Sequence, residues 1–271
     1  MEDQRFISDR FPRSSRYHPE WILAGFSGGA NPLWLTEWLC EALTLQPGMR
    51  VLDLGCGRAL SSIFLHREYD VQVWAADFWF SPSENIQRIQ DAKVDHAVFP
   101  IRADARSLPF PDEFFDVVIG IDSFMYFGTD DLYLNYLARF LKPEGQLGIA
   151  MAGFAQELPS PVPAHMAEWW VAEKPYCLHS AAWWRQHWER TGIVAVETFD
   201  TMPDGWHYWR EWLKIVAPAN TMELTALEVD AGRNFAYTRT IARRQPQATL
   251  FDPAMSLPVE YRQTPLLREN Y

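Results

Sequence analysis

The chain has 271 residues, 48% of them hydrophobic and 22% charged, which is enough to bury a sizeable core, and its formal net charge is −11. That acidity speaks against a nucleic-acid partner, which needs a basic stripe; the one compact basic set, Arg239, Arg243 and Arg244, reads as a solvated strand end. A polar start (MEDQRFISDR), no apolar run of membrane-spanning length and three scattered cysteines (Cys40, Cys56, Cys177) predict a cytoplasmic chain with no membrane contact, disulfide framework or metal site.

Residues 1–48 begin polar and pass through a glycine-rich loop (Gly25, Gly28, Gly29). Asn31 is placed to cap a helix over Leu33–Leu43, ended by Gln46-Pro47-Gly48. Next comes RVLDLGCG, from Arg50 to Gly57. Val51, Leu52 and Leu54 form a short apolar run that ends in a Gly-Cys-Gly turn. This pattern predicts a buried parallel strand followed by a helix from about Ala59 to Glu68. Glycines in the turn let the backbone lie flat against a ligand, and Asp53 falls toward the strand's carboxyl end, where doubly wound sheets open their binding crevice.

VQVWAADFW predicts a second strand from Val71 to about Ala76, closed by Asp77, 24 residues beyond Asp53. An acidic residue about 20 residues after a glycine turn contacts ribose hydroxyls in nucleotide-binding βαβ units, because a carboxylate accepts from both hydroxyls at once. Phe78 and Trp79 follow at once and offer an apolar face for an adenine ring. A helix opened by Ser81 or Ser83 comes next, then a third strand ending near Asp104 and a fourth over Asp116–Ile121 closed by Asp122. An amphipathic helix over Asp130–Leu141, a Lys142–Gly145 turn and a fifth strand, QLGIAMAG, complete the alternation. Strands and helices in this rhythm give a parallel α/β sheet with right-handed crossovers.

VLDLGCG, AADFW, ADARSLPFPDEFFDVVIGIDS and FLKPEGQLGIA, in that order, resemble class I S-adenosylmethionine-dependent methyltransferases, in particular the group of ubiquinone-biosynthesis-type and small-molecule enzymes. The resemblance covers about residues 30–151. It implies a Rossmann-like, doubly wound seven-stranded sheet with an antiparallel last strand. It also implies S-adenosyl-L-methionine as cofactor and S-adenosyl-L-homocysteine as product, with 49–151 as the cofactor-binding core and the 1–48 segment covering the cofactor site. Carried over residue by residue, Asp53, Gly55, Cys56 and Gly57 would flank the methionine half. Asp77 would hold the ribose, with Phe78 or Trp79 against adenine. Asp104 would face the adenine amino group and Ala105 would offer its backbone N–H. Asp122 and Ser123 would line the place where the methyl emerges. Where the family often has a third glycine, this chain has Ala59.

The second half predicts a tryptophan-rich cap over 152–190, the end of the sheet over 191–243 and a tail over 244–271. Pro159, Pro161 and Pro163 make a stiff crossing into the cap. Ser180 opens a helix (AAWWRQHWERTG), IVAVETFDT is a sixth strand, DGWHYWREWLKIVA another helix, and Phe235–Ala242 a seventh strand. Eight of the 13 tryptophans lie between Trp169 and Trp212. Trp169, Trp170, Trp183, Trp184 and His207 are the expected acceptor pocket, with packing as the competing reading. Catalytic candidates are His165, oriented by Glu168 at i+3, together with Tyr126 and Asp122. Tyr126, in SFMYFG, stands near where cyclopropane-forming members of the superfamily carry a Glu-His pair, so lipid cyclopropanation is not expected.

The reading is therefore a methyltransferase acting on a small aromatic or amine acceptor, with a homodimer as one arrangement. The competing readings are a non-catalytic module that binds the same cofactor and a cyclising use of it.

Overall fold

The computed structural model describes residues 4–251; the greater part of the tail lies outside them. Seven strands form one sheet: β1 (Arg50–Leu54), β2 (Gln72–Asp77), β3 (Val98–Arg102), β4 (Phe115–Ile121), β5 (Leu141–Phe154), β6 (Val194–Thr201) and β7 (Phe235–Arg244). Their spatial order is β3-β2-β1-β4-β5-β7-β6. The first five run parallel, and β7 is antiparallel to both β5 and β6. The order reverses between β1 and β4, and the crevice at their carboxyl ends is where such sheets bind ligands.

Nine α-helices join the strands among the described residues: α1 (Pro19–Gly25), α2 (Pro32–Cys40), α3 (Leu60–Tyr69), α4 (Pro82–Asp91), α5 (Tyr133–Ala138), α6 (Ala167–Glu173), α7 (Ala181–Glu189), α8 (Gly205–Val216) and α9 (Thr221–Asp230). The strands alternate their apolar residues between two faces. Val51, Val73, Val117 and Ile119 join α2, α3 and Trp212 of α8 in one core. Leu52, Leu54, Val118 and Ile149 join α5 and the Trp184–Trp188 face of α7 in the other. Both faces are covered, which is why the central strands are almost uninterrupted apolar runs.

Local chemistry sets the helix starts. The Asn31 side chain accepts from the N–H groups of Leu33 and Trp34, and Ser81 and Glu84 close a reciprocal capping box on α4. Two helices have no counterpart in the sequence reading: α1, capped by His18, and α9, capped by Asn220. One expected helix is much shorter than its pattern. Asp130 turns the chain by accepting from Leu132 N–H, and the carbonyls of Arg139 and Phe140 are given to the edge of β4 through Glu113, Phe114 and Phe115. Only Tyr133–Ala138 is left helical.

The expected Lys142–Gly145 turn is a bulge inside β5. Leu141 pairs with Phe115, but the next register pair is Gln146 with Val117.

Candidate cofactor cleft

A cleft of about 820 Å³ opens at the carboxyl ends of β1, β2 and β4. Gly55 and Gly57 form its floor, both at positive φ (+80° and +55°). A side chain at Gly55 would meet Ser123 Cβ at 2.5 Å, and one at Gly57 would collide with Ser27 Oγ. The turn therefore needs glycine for its backbone conformation and for the close approach of two other loops. Ala59 adopts the left-handed conformation itself (φ +61°) and passes the chain into α3.

Asp77 is the hinge of the site. One carboxylate oxygen accepts the Gly57 N–H at 2.8 Å, and the other accepts the N–H groups of Trp79 and Phe80. Asp77 lines the cleft, and with three N–H groups on its two oxygens it keeps accepting capacity for a further donor. Phe78 and Trp79 stand on the rim, 53% and 77% exposed. Asp104 and Ala105, past the end of β3, also line the cleft. Arg106 grips Asp104 through its own backbone N–H, Nε and Nη2, and so holds the carboxyl down to about pKa 2.

Asp122 and Ser123 line the end of β4. Asp122 stands at φ +49° and accepts from Ala30 N–H at 2.7 Å and Ala152 N–H at 3.1 Å; burial pushes its carboxyl upward against those two bonds. Ser123 Oγ donates to Leu54 O at 2.7 Å, tying β4 to β1. Tyr126 is 68% exposed on the same wall.

Other expected residues lie elsewhere. Asp53 does not line the cleft; it is fully buried beneath it, taking hydrogen bonds of 2.6 Å from both Ser61 and Ser62, with its second oxygen unpartnered. Its carboxyl is pushed up to about 6, chiefly by burial. The expected tryptophan pocket is corrected by packing. Trp184 is a core side chain among Phe124, Trp188 and Trp183, and Trp169 packs edge-on against Phe235 at 4.6 Å. Trp170 packs beside Phe154, and Trp183 lies between the rings of His179 and His187 at 3.7 and 4.5 Å. None of the four lines the cleft.

His165 is turned away as well. Its Nε2 meets Asp230 at 2.8 Å, not Glu168, and Asp230 also accepts from Asn234 and Phe235 at the entry to β7. That is a structural staple. His207 is exposed beside Arg210 on α8.

Residues 1–48 are expected from the sequence to cover the cofactor site, with no residue of the cover named; Ser27–Ala30 of that segment line the cleft. The Ser27–Ala30 loop is pinned by three bonds: Arg58 to Phe26 O, Trp212 Nε1 to Gly29 O, and Ala30 N–H to Asp122. Gly28 and Gly29 mark the loop in the sequence, but the partners that hold it are distant in the chain. Phe127, Thr129, Asp130 and Arg106 complete the lining.

The electrostatics favour a cation. Four carboxylates (Asp77, Asp104, Asp122, Asp130) line the cleft against one guanidinium, Arg106, already spent on Asp104. Such a lining repels a pyrophosphate and suits a ligand carrying positive charge and a ribose diol. S-adenosylmethionine, with its sulfonium and ribose, has that chemistry.

A Rossmann-like sheet in this order, with its reversed seventh strand, thus carries an acidic cleft at its switch point. Residues 51–145 match the family described as "Methyltransferase domain". The methyltransferase GfsG of Streptomyces halstedii is 32% identical over 117 residues, 43% of this chain and 42% of that protein. The ubiquinone/menaquinone biosynthesis C-methyltransferase UbiE of Paraburkholderia phymatum is 32% identical over 126 residues, 45% of this chain and 50% of that one. The chain thus spans about half the length of these curated relatives. Among solved structures, geranyl diphosphate C-methyltransferase from Streptomyces coelicolor superposes with a TM-score of 0.63 at 19% identity, covering 77% of this chain and 76% of that one. The stretch 51–145 is similar to methyltransferase domains, and the fold is shared with solved methyltransferases. No helix among the described residues is long and apolar enough to cross a membrane.

Proposed function

We propose that this chain transfers the methyl group of S-adenosylmethionine to a small-molecule acceptor, aromatic or amine in character, leaving S-adenosylhomocysteine. The observation that carries this reading is the acidic cleft built on the Asp77–Gly57 bond inside a methyltransferase domain. In that cleft Asp77 would accept the ribose hydroxyls, Gly55 and Gly57 would lie against the methionine half, and Phe78 and Trp79 would close on the adenine.

The cofactor supplies a methyl group on a positively charged sulfur, an electrophile ready for in-line attack. The protein's task is then to align the acceptor and exclude water, and orientation of this kind is worth on the order of 7–11 kcal/mol. Asp122 is the proton acceptor in this scheme. At the end of β4 it would face the entering acceptor, and burial makes its carboxylate more basic than an exposed one. Tyr126 lines the same wall with its ring open to solvent and would hold the acceptor by its face and hydroxyl.

The test is incubation with methyl-labelled cofactor and a panel of phenols and amines. Label in an acceptor, lost in Asp122→Asn with cofactor binding kept, supports the reading. Cofactor binding with no transfer to any member of the panel would leave a binding module in its place.

A further inference from the structure

The Ser27–Ala30 loop bridges the glycine turn and Asp122, and each end of it touches a different group. At the first end, a side chain placed at Gly57 would collide with Ser27 Oγ. Arg58, the next residue, holds Phe26 O there through Nη1 at 2.7 Å. At the second end, a side chain placed at Gly29 would collide with Asp122 Oδ2, and Ala30 N–H donates to that same oxygen at 2.7 Å. Gly28 and Gly29, at φ +110° and +74°, let the chain make this crossing.

The Asp122 end has its own support from an element far along the chain. Trp212 of α8 is 1% exposed and donates its indole N–H to Gly29 O at 3.1 Å. Its ring packs edge-on among Phe6, Phe26 and Trp34, at 6.1, 5.3 and 5.9 Å between centroids, so the donor cannot turn away without breaking that packing. Asp122 is thereby clasped from two sides, with Ala30 N–H on Oδ2 and Ala152 N–H of β5 on Oδ1 at 3.1 Å. One N–H on each oxygen fixes the plane of a carboxylate, and with it the direction of the lone pairs left for an acceptor's proton.

We propose that Trp212 is a positioning residue for Asp122, acting through Gly29 and Ala30, while Arg58 holds the other end of the same loop for the cofactor. This rests on Asp122 as proton acceptor in the function proposed above.

The test divides the loop with three variants of the whole chain. Trp212→Phe removes the indole N–H and keeps a ring in the cluster. Gly29→Ala drives a methyl group at Asp122 and leaves the core untouched, so it carries the test if Trp212→Phe does not fold. Arg58→Ala frees the first end. Amide hydrogen exchange at Ala30, read by NMR without ligand, should quicken about tenfold or more in Trp212→Phe and Gly29→Ala, because each loosens a hydrogen bond to a charged acceptor, and stay within about threefold of the parent in Arg58→Ala. Leu35 N–H, bonded to Asn31 O at the start of α2, is the internal control. Affinity for S-adenosylhomocysteine should divide the other way, weakened about tenfold in Arg58→Ala and within about threefold of the parent in the other two. With an acceptor found by the label assay, Trp212→Phe and Gly29→Ala should lower kcat about tenfold or more and leave the KM for the cofactor unchanged. Three results overturn the proposal: unchanged Ala30 exchange in both variants, S-adenosylhomocysteine affinity falling in step with it, or faster exchange with kcat kept. If no acceptor takes label from the parent, it is the transfer reading that fails, and exchange with affinity still judges the division of the loop.

Discussion

The Asp77 carboxylate accepts the backbone N–H of Gly57 across 2.8 Å, joining the end of β2 to the glycine turn that follows β1. The same carboxylate anchors the N–H groups of Trp79 and Phe80, so one side chain fixes the floor of the cleft and its aromatic rim. A charged acceptor makes these bonds stronger than neutral ones, and it holds the turn in shape before any ligand arrives.

Replacing Asp77 should therefore cost cofactor affinity twice, through the lost ribose acceptor and through the loosened turn. Asp77→Ala is expected to raise the Kd for S-adenosylhomocysteine by at least 100-fold. Glu84→Ala, which breaks only the capping box of α4, should lower stability by about 1 kcal/mol and leave affinity unchanged. Calorimetry on the two variants checks this, and equal affinity losses would remove the ribose role from Asp77.

The glycine turn makes a second contrast. Gly57→Ala puts a methyl group into Ser27 Oγ at a positive φ, so it should displace the Ser27–Ala30 loop and weaken cofactor binding tenfold or more. Ala59→Gly relieves a left-handed alanine, a gain of about 1 kcal/mol offset by about as much extra freedom in the unfolded chain. Stability and affinity should both stay close to the parent, as thermal melting and calorimetry can read.

Asp53 predicts a pH dependence. Its folded pKa of about 6 lies above its ordinary value of 3.8 because burial opposes ionisation. Between those values the folded state holds the proton more tightly than the unfolded one, so Asp53's contribution to stability falls as pH rises from about 4 to 6. The window is worth at most about 3 kcal/mol. Asp53→Asn removes this term, so the variant should gain on the parent between pH 4.5 and 7.5 in urea unfolding. An identical stability difference at both pH values would contradict the assignment.

Core and rim tryptophans should separate cleanly. Trp184 is fully buried, and Trp184→Ala should cost about 3–5 kcal/mol of stability. Trp79 is 77% exposed, so Trp79→Ala should leave the melting temperature within about 2 °C, since an exposed ring contributes little burial, and weaken the cofactor several-fold. Denaturant melts paired with calorimetry distinguish the two cases.

The succession of the central strands was legible because it depends on local patterns: apolar runs that end in Gly55-Cys56-Gly57, in Asp77 and in Asp122. Asp53 shows the limit. Its position on β1 is readable, but only the fold reveals that Ser61 and Ser62 turn it inward. The acceptor side was less legible because it is built from long-range meetings such as Ala30 with Asp122 and Trp212 with Gly29. Clustered tryptophans between 169 and 188 suggested a pocket, yet large flat rings also fill the space between short helices and a sheet, and that is where they lie. Trp209 stacks instead on Tyr237 of β7, two strands beyond β4.

The measurement that bears most directly on the central claim is calorimetric titration of the whole chain with S-adenosylmethionine and with S-adenosylhomocysteine. Micromolar binding of both, abolished in Asp77→Ala with the fold retained, is the predicted result. Absence of binding to either ligand, or binding unaffected by loss of the Asp77 carboxylate, would contradict the account of this cleft as a methyl-donor site.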